Sequence, residues 1–138
     1  MNYKTDKENF SLEIQESLEA KYDLDGRLIE FAGRIIDVSE SCKNSRAGNH
    51  IAGQLLRSGT SPAPNYAEAC AAESRNDFIH KMQICLKELR ETFVWLRISI
   101  NKKLVPSPLI NETLTECEQL IRIFRSSITT TRKNNSKT

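Results

Sequence analysis

Four sets of six residues, each spaced 4-3-4-3-4, constrain what these 138 residues can fold into. The first set is Leu24, Leu28, Phe31, Ile35, Val38 and Cys42. The second is Ile51, Leu55, Ser58, Pro62, Asn65 and Ala69. The third is Phe78, Met82, Cys85, Leu89, Thr92 and Leu96, and the fourth is Ile110, Leu114, Cys117, Ile121, Phe124 and Ile128. Most of these residues are apolar or small. A 3.5-residue period keeps one seam of a helix turned toward a partner. Four seams of similar length, joined by short connections, predict an all-α fold: an antiparallel, up-down-up-down four-helix bundle.

The boundaries follow from capping and breaking residues. Residues 1–21 form an N-terminal extension in which Phe10, Ile14 and Leu18 suggest a short accessory helix. The bundle domain is expected over residues 22–131. Asp23 is an N-cap candidate for helix one, which should end near Ser41. Gly33 is expected to allow close helix contact. The polar stretch 43–48 reads as a turn. Helix two then meets Ser-Gly-Thr-Ser-Pro-Ala-Pro at 58–64, which leaves two readings. One is a loop, giving five helices; the other is a helix kinked at Pro62/Pro64. The unbroken phase of residues 55, 58, 62, 65 and 69 favours the kink, with hydroxyls at 58, 60 and 61 satisfying backbone groups locally.

Ser74-Arg75-Asn76-Asp77 resembles a capping box and should open helix three, over about 75–101. That helix carries a second apolar stripe at Ile79, Leu86, Phe93 and Ile100, a sign of burial on two sides. Ser107 and Pro108 suit the start of helix four, which should reach about Thr130. Residues 132–138 read as a disordered basic tail.

No apolar run approaches the ~20 residues that span a bilayer, and the polar N-terminus lacks the apolar centre of a signal peptide. A cytoplasmic protein is expected. Cys42, Cys70, Cys85 and Cys117 form no Cys-x-x-Cys pair and read as small buried thiols. The net charge of +2 is unevenly placed. Residues 1–41 hold 5 Lys/Arg against 10 Asp/Glu, whereas residues 42–111 hold 10 against 5. Such asymmetry can steer assembly, and the basic part suits an acidic partner.

Arg57, Ser61, Asn65 and Glu68 are spaced 4, 4 and 3, so one helical face carries all four. They are read chiefly as a buried polar network fixing the kink and the helix pairing. A binding groove or a subunit contact is the competing reading. Arg75, Lys81, Lys87, Arg90 and Arg97 lie off the main seam of helix three; Lys102, Lys103, Arg132 and Lys133 follow. These nine are a solvated face or a phosphate-contacting surface. Few exposed aromatics accompany them, so base stacking is not supported. His50 and His80 lack a second ligand at metal spacing, and no nucleophile or phosphate-loop motif is present. No catalytic residue, metal or cofactor is expected.

The segment 54–78 resembles the bacterial family called 23S ribosomal RNA intervening-sequence proteins. The residues carrying this are Gln54, Leu55, Arg57, Ser58, Ser61 and Asn65, then Glu68, Ala69, Ser74, Arg75, Asp77 and Phe78. Glu30-Phe31-Ala32 and the stretch 87–96 are also similar, and the resemblance covers about residues 22–130. Pro62-Ala63-Pro64 departs from it, since relatives have at most one proline there. The resemblance implies a ring-like homopentamer. Some members are encoded inside inserts in ribosomal RNA genes. Related accessory proteins of diversity-generating retroelements bind nucleic acid and a reverse transcriptase. The expectation is a non-enzymatic, homo-oligomeric interaction protein associated with RNA or DNA; the alternative is a structural or protein-binding adaptor without nucleic acid.

Overall fold

The computed structural model describes residues 23–136, all of them in helices and short connections. The accessory helix expected within residues 1–21 lies outside the described residues. Helix α1 is described over 23–40, α2 spans Arg46–Thr60, α3 Pro62–Cys70, α4 Arg75–Asn101 and α5 Ser107–Ser136.

Local chemistry sets the ends. Ser45 Oγ accepts from Gly48 N at 3.0 Å, and Ser74 Oγ accepts from Asp77 N at 3.1 Å, so each hydroxyl satisfies an orphan amide of the first turn. The turn before α2 is tight enough to require glycine. A Cβ on Gly48 would sit 1.9 Å from the Lys43 carbonyl oxygen. Lys43 N in turn donates to Leu104 O at 2.9 Å, tying the two inter-helix connections together at one end of the molecule.

One core runs through the helices. Leu28, Phe31, Ile35 and Val38 of α1 are buried with Met82, Cys85, Leu89 and Leu96 of α4. α4 packs against α2, α3 and α5. Its second stripe, Ile79, Leu86, Phe93 and Ile100, is half-buried against this core. Helices α1 and α2 come close at Gly59, where an added Cβ would meet Ile35 side-chain atoms at 2.6 Å and 2.7 Å. Gly33, expected to serve this purpose, is exposed with open space around it.

Two seams differ from their expected phase. In α5 the fully covered residues are Ile110, Thr113, Cys117, Leu120, Phe124 and Ile128, while Leu114 and Ile121 are half-buried. In α3, Tyr66 takes the core place expected for Asn65 and stacks edge-on against Phe124 at 6.0 Å. A single residue, Ser61, separates α2 from α3, and its φ of −68° and ψ of −39° are helical. Ser58 and Thr60 donate to the carbonyls of Gln54 and Leu56. The hydroxyls thus reach one turn back, not to the carbonyls that the prolines leave free. Lastly, α5 continues to Ser136, so residues 132–136 are helical rather than part of a disordered tail. No Gly or Pro interrupts that stretch, and Arg132 and Lys133 suit the negative end of the helix dipole.

Candidate nucleic-acid interface

Of the four residues of the polar face, only Ser61 and Asn65 join one another. Arg57 reaches across to α4, with Nη2 2.6 Å from Glu91 Oε1 and Nη1 3.2 Å from Glu88 Oε2. Its side chain is half exposed. Glu68 pairs with Lys81 at 3.0 Å, also at the surface. Asn65 Nδ2 donates to Ser61 Oγ at 2.9 Å and to Ser61 O at 3.0 Å. The group is therefore three ion pairs onto α4, two from Arg57 and one from Glu68, with a local Asn65–Ser61 contact across the α2–α3 junction. The Arg57 guanidinium holds the Glu91 carboxyl below its ordinary pKa, with a smaller contribution from Lys87.

The polar contact buried between α2 and α4 is a different one. Thr92 Oγ1 lies 2.8 Å from Ser58 Oγ, and both residues are fully buried. Cys85 and Cys117 are buried thiols bonded to the carbonyls of Pro62 and Leu89. Burial pushes each thiol up to about 12, which disfavours the thiolate needed for chemistry. His50 stands edge-on to Trp95 at 6.0 Å. Among the described residues no three His, Cys, Asp or Glu side chains converge as a metal site would need.

The nine cations read from the sequence fall into separate places. Arg75 is exposed at the start of α4, and Lys102 and Lys103 are exposed beyond its end. At 1.5 Å per residue these ends are ~40 Å apart. Lys81 is committed to Glu68. Arg97 lies over the Phe93 ring of its own helix, 5.7 Å from the centroid.

Lys87, Arg90 and Arg132 do converge. They line a cleft of about 480 Å³ between α4 and α5, together with Arg125. Each helix thus contributes two cations. Leu86 and Ile128 supply apolar surface in the same cleft, and Gln83 and Thr129 complete it. Among the described residues, none of these four cations forms an ion pair with a carboxylate. A second depression of about 370 Å³ shares Arg125 and Thr129 with the first and adds Arg122 and Lys133. Four like charges with no carboxylate of the described residues within ion-pair distance raise a local positive potential that favours an anionic ligand. Arg125 lies outside the cations expected from the sequence, although its spacing of seven residues from Arg132 puts both on one helical face.

These features define a class: a helical bundle protein whose marked surface feature is a cation-lined cleft between its two longest helices. The chain belongs to the 23S rRNA-intervening sequence protein family, whose profile matches residues 21–126. It is also similar to a crystal structure from Bacteroides thetaiotaomicron, described as a protein with unknown function from the S23 ribosomal protein family. The two share 32% identity and a TM-score of 0.70, over 76% of this chain and 97% of that one. No curated protein matches the chain. No described helix is long and apolar enough to cross a membrane.

Proposed function

We propose that this protein is a non-enzymatic, homo-oligomeric interaction protein of the bacterial cytoplasm that associates with RNA or DNA. The observation carrying this reading is the α4/α5 cleft, where Lys87, Arg90, Arg125 and Arg132 face one space without carboxylate partners. Such a site suits phosphate contact, which supplies affinity with little sequence preference. The architecture proposed beneath it is an antiparallel bundle, with α2 and α3 acting as one helix bent at Ser61. Pairings support that direction: position 58 meets 92, and 68 meets 81, so partners draw closer in sequence as both helices near the α3–α4 turn.

The homopentameric stoichiometry rests on the resemblance given above. Exposed Ile29, Ile36, Leu56 and Val94 support the existence of association surfaces. The same residues favour the second reading, a protein-binding adaptor with no nucleic acid.

Fluorescence anisotropy of the full chain with a labelled RNA hairpin bearing unpaired flanks tests the proposal. Binding at ~50 mM salt that weakens steeply by ~200 mM is the expected result. Absence of binding at the lower salt would leave the adaptor reading. Light scattering showing a monomer at micromolar concentration would reject the oligomer.

A further inference from the structure

We propose that the α4/α5 cleft holds the sugar–phosphate backbone of one unpaired nucleic-acid strand, which passes over α5 toward Arg122 and Lys133. This rests on the nucleic-acid reading above and names the form of ligand and its path.

Concavity argues for a single strand. The cleft between α4 and α5 encloses only about 480 Å³. The major groove of a DNA duplex is itself ~12 Å wide and the whole duplex is broader still, so a duplex can touch the rim of such a space but not enter it. One strand fits between the walls, and there it meets cations from both sides: Lys87 and Arg90 from α4, Arg125 and Arg132 from α5. Three of the four are arginines, whose planar fork suits paired phosphate oxygens. Leu86 and Ile128 offer apolar surface to sugars or base faces. The cleft holds no aromatic ring, so stacking cannot select a sequence.

Continuity argues for the path. Arg125 and Thr129 belong to both depressions, so a strand leaving the cleft runs on toward Arg122, where its phosphates compete with the exposed Glu118 carboxylate paired there at 3.5 Å. From Arg122 to Lys133 the track runs ~16 Å along α5 at 1.5 Å per residue. The Thr129 hydroxyl donates to Arg125 O at 2.9 Å, which leaves its outer lone pairs as acceptors only. Phosphate recognition on this track therefore falls to the cations. Lys102 lies ~22 Å along α4 from Lys87, off the path.

The test compares a fluorescein-labelled 20-nucleotide oligo(U), its duplex with oligo(A), and four forms of the full chain. These are wild type, Arg90→Gln/Arg125→Gln, Arg125→Glu/Arg132→Glu, and the control Arg75→Glu/Lys102→Glu. The substituted side chains are exposed, and melting curves report folding; the neutral pair serves if the charge reversal melts early. Wild type should bind oligo(U) more tightly than the duplex. With four phosphate contacts on a single strand, affinity should drop roughly 50-fold between ~50 mM and ~200 mM salt. Both cleft variants should bind at least about tenfold more weakly and show a shallower salt dependence, by roughly 0.7 unit of slope per lost contact. The control pair should bind like wild type.

Equal or tighter binding of the duplex would overturn the single-strand assignment while leaving nucleic-acid association intact. Loss of binding in the control but not in the cleft variants would overturn the path. Failure of wild type to bind either probe or the RNA hairpin would overturn the functional proposal itself.

Discussion

Thr92 Oγ1 on α4 lies 2.8 Å from Ser58 Oγ on α2, and neither residue exposes any surface. Ser58 donates its own hydroxyl hydrogen bond to Gln54 O at 2.9 Å, so its oxygen is free to accept from Thr92. Thr92 Oγ1 also stands 2.8 Å from Glu88 O, a second acceptor on its own helix. The hydroxyl pair couples two helices inside a seam that is otherwise apolar.

Thr92→Val keeps the shape of the side chain but removes the donor to Ser58; it should cost about 1 kcal/mol. Ser58→Ala should cost a similar amount. The double variant should cost less than the two singles together, because no hydroxyl then remains without its partner. Urea denaturation of the four proteins measures this. Costs that add to within ~0.3 kcal/mol would show that the two hydroxyls do not cooperate.

Two glycines should respond in opposite directions. Gly59→Ala places a methyl 2.6 Å from an Ile35 side-chain carbon, so Ile35 must shift within a packed core. Overpacking of this kind costs about 1–3 kcal/mol. Gly33→Ala meets open space on an exposed helix surface, and should stabilise by about 0.5–1 kcal/mol through helix propensity and unfolded-chain entropy. Thermal melts decide between them. A stabilised Gly59→Ala would show that α1 and α2 are not held at this distance.

The Arg57–Glu91 pair predicts a particular acid response. An unfolded glutamate titrates near ~4.3, and Arg57 holds Glu91 lower in the fold. The pair therefore stabilises the protein above pH ~4.3, and that contribution fades as pH falls through the lower folded value. Glu91→Gln lacks it at every pH. The melting-point gap between wild type and Glu91→Gln should be largest near pH ~6 and close toward pH ~3. The gap should also narrow in high salt, because Arg57 is half exposed and screened. A gap that widened on acidification would mean that the pair does not hold the carboxylate charged.

Much of the helix content was legible because capping and period are local. Ser74 and Asp77 announce the start of α4 by themselves, and the seam of α4 matches its buried residues from Met82 to Leu96. The phase of α5 was less legible. Leu114 and Ile121 look like better core residues than Thr113, yet Thr113 is covered, its hydroxyl bonded to Leu109 O at 3.2 Å. A threonine that satisfies its own hydroxyl on the helix backbone can take a core place, and composition alone does not reveal that. The slip from Asn65 to Tyr66 has a similar origin. Pro62 and Ala69 keep their expected core places, and between them Tyr66 finds Phe124 on a helix nearly sixty residues away in sequence.

The candidate site divides in the same way. Spacing within one helix, set by 3.6 residues per turn, is enough to put cations off the apolar seams and Arg57, Ser61, Asn65 and Glu68 on one helical face. Which charges meet depends on how the helices pack. Packing α4 beside α5 brings Lys87 and Arg90 opposite Arg125 and Arg132, while Lys81 is committed to Glu68 and Arg57 to Glu88 and Glu91. Charges on different helices interact through distance alone, and that distance is set by how core side chains such as Leu89 and Phe124 bring those helices together.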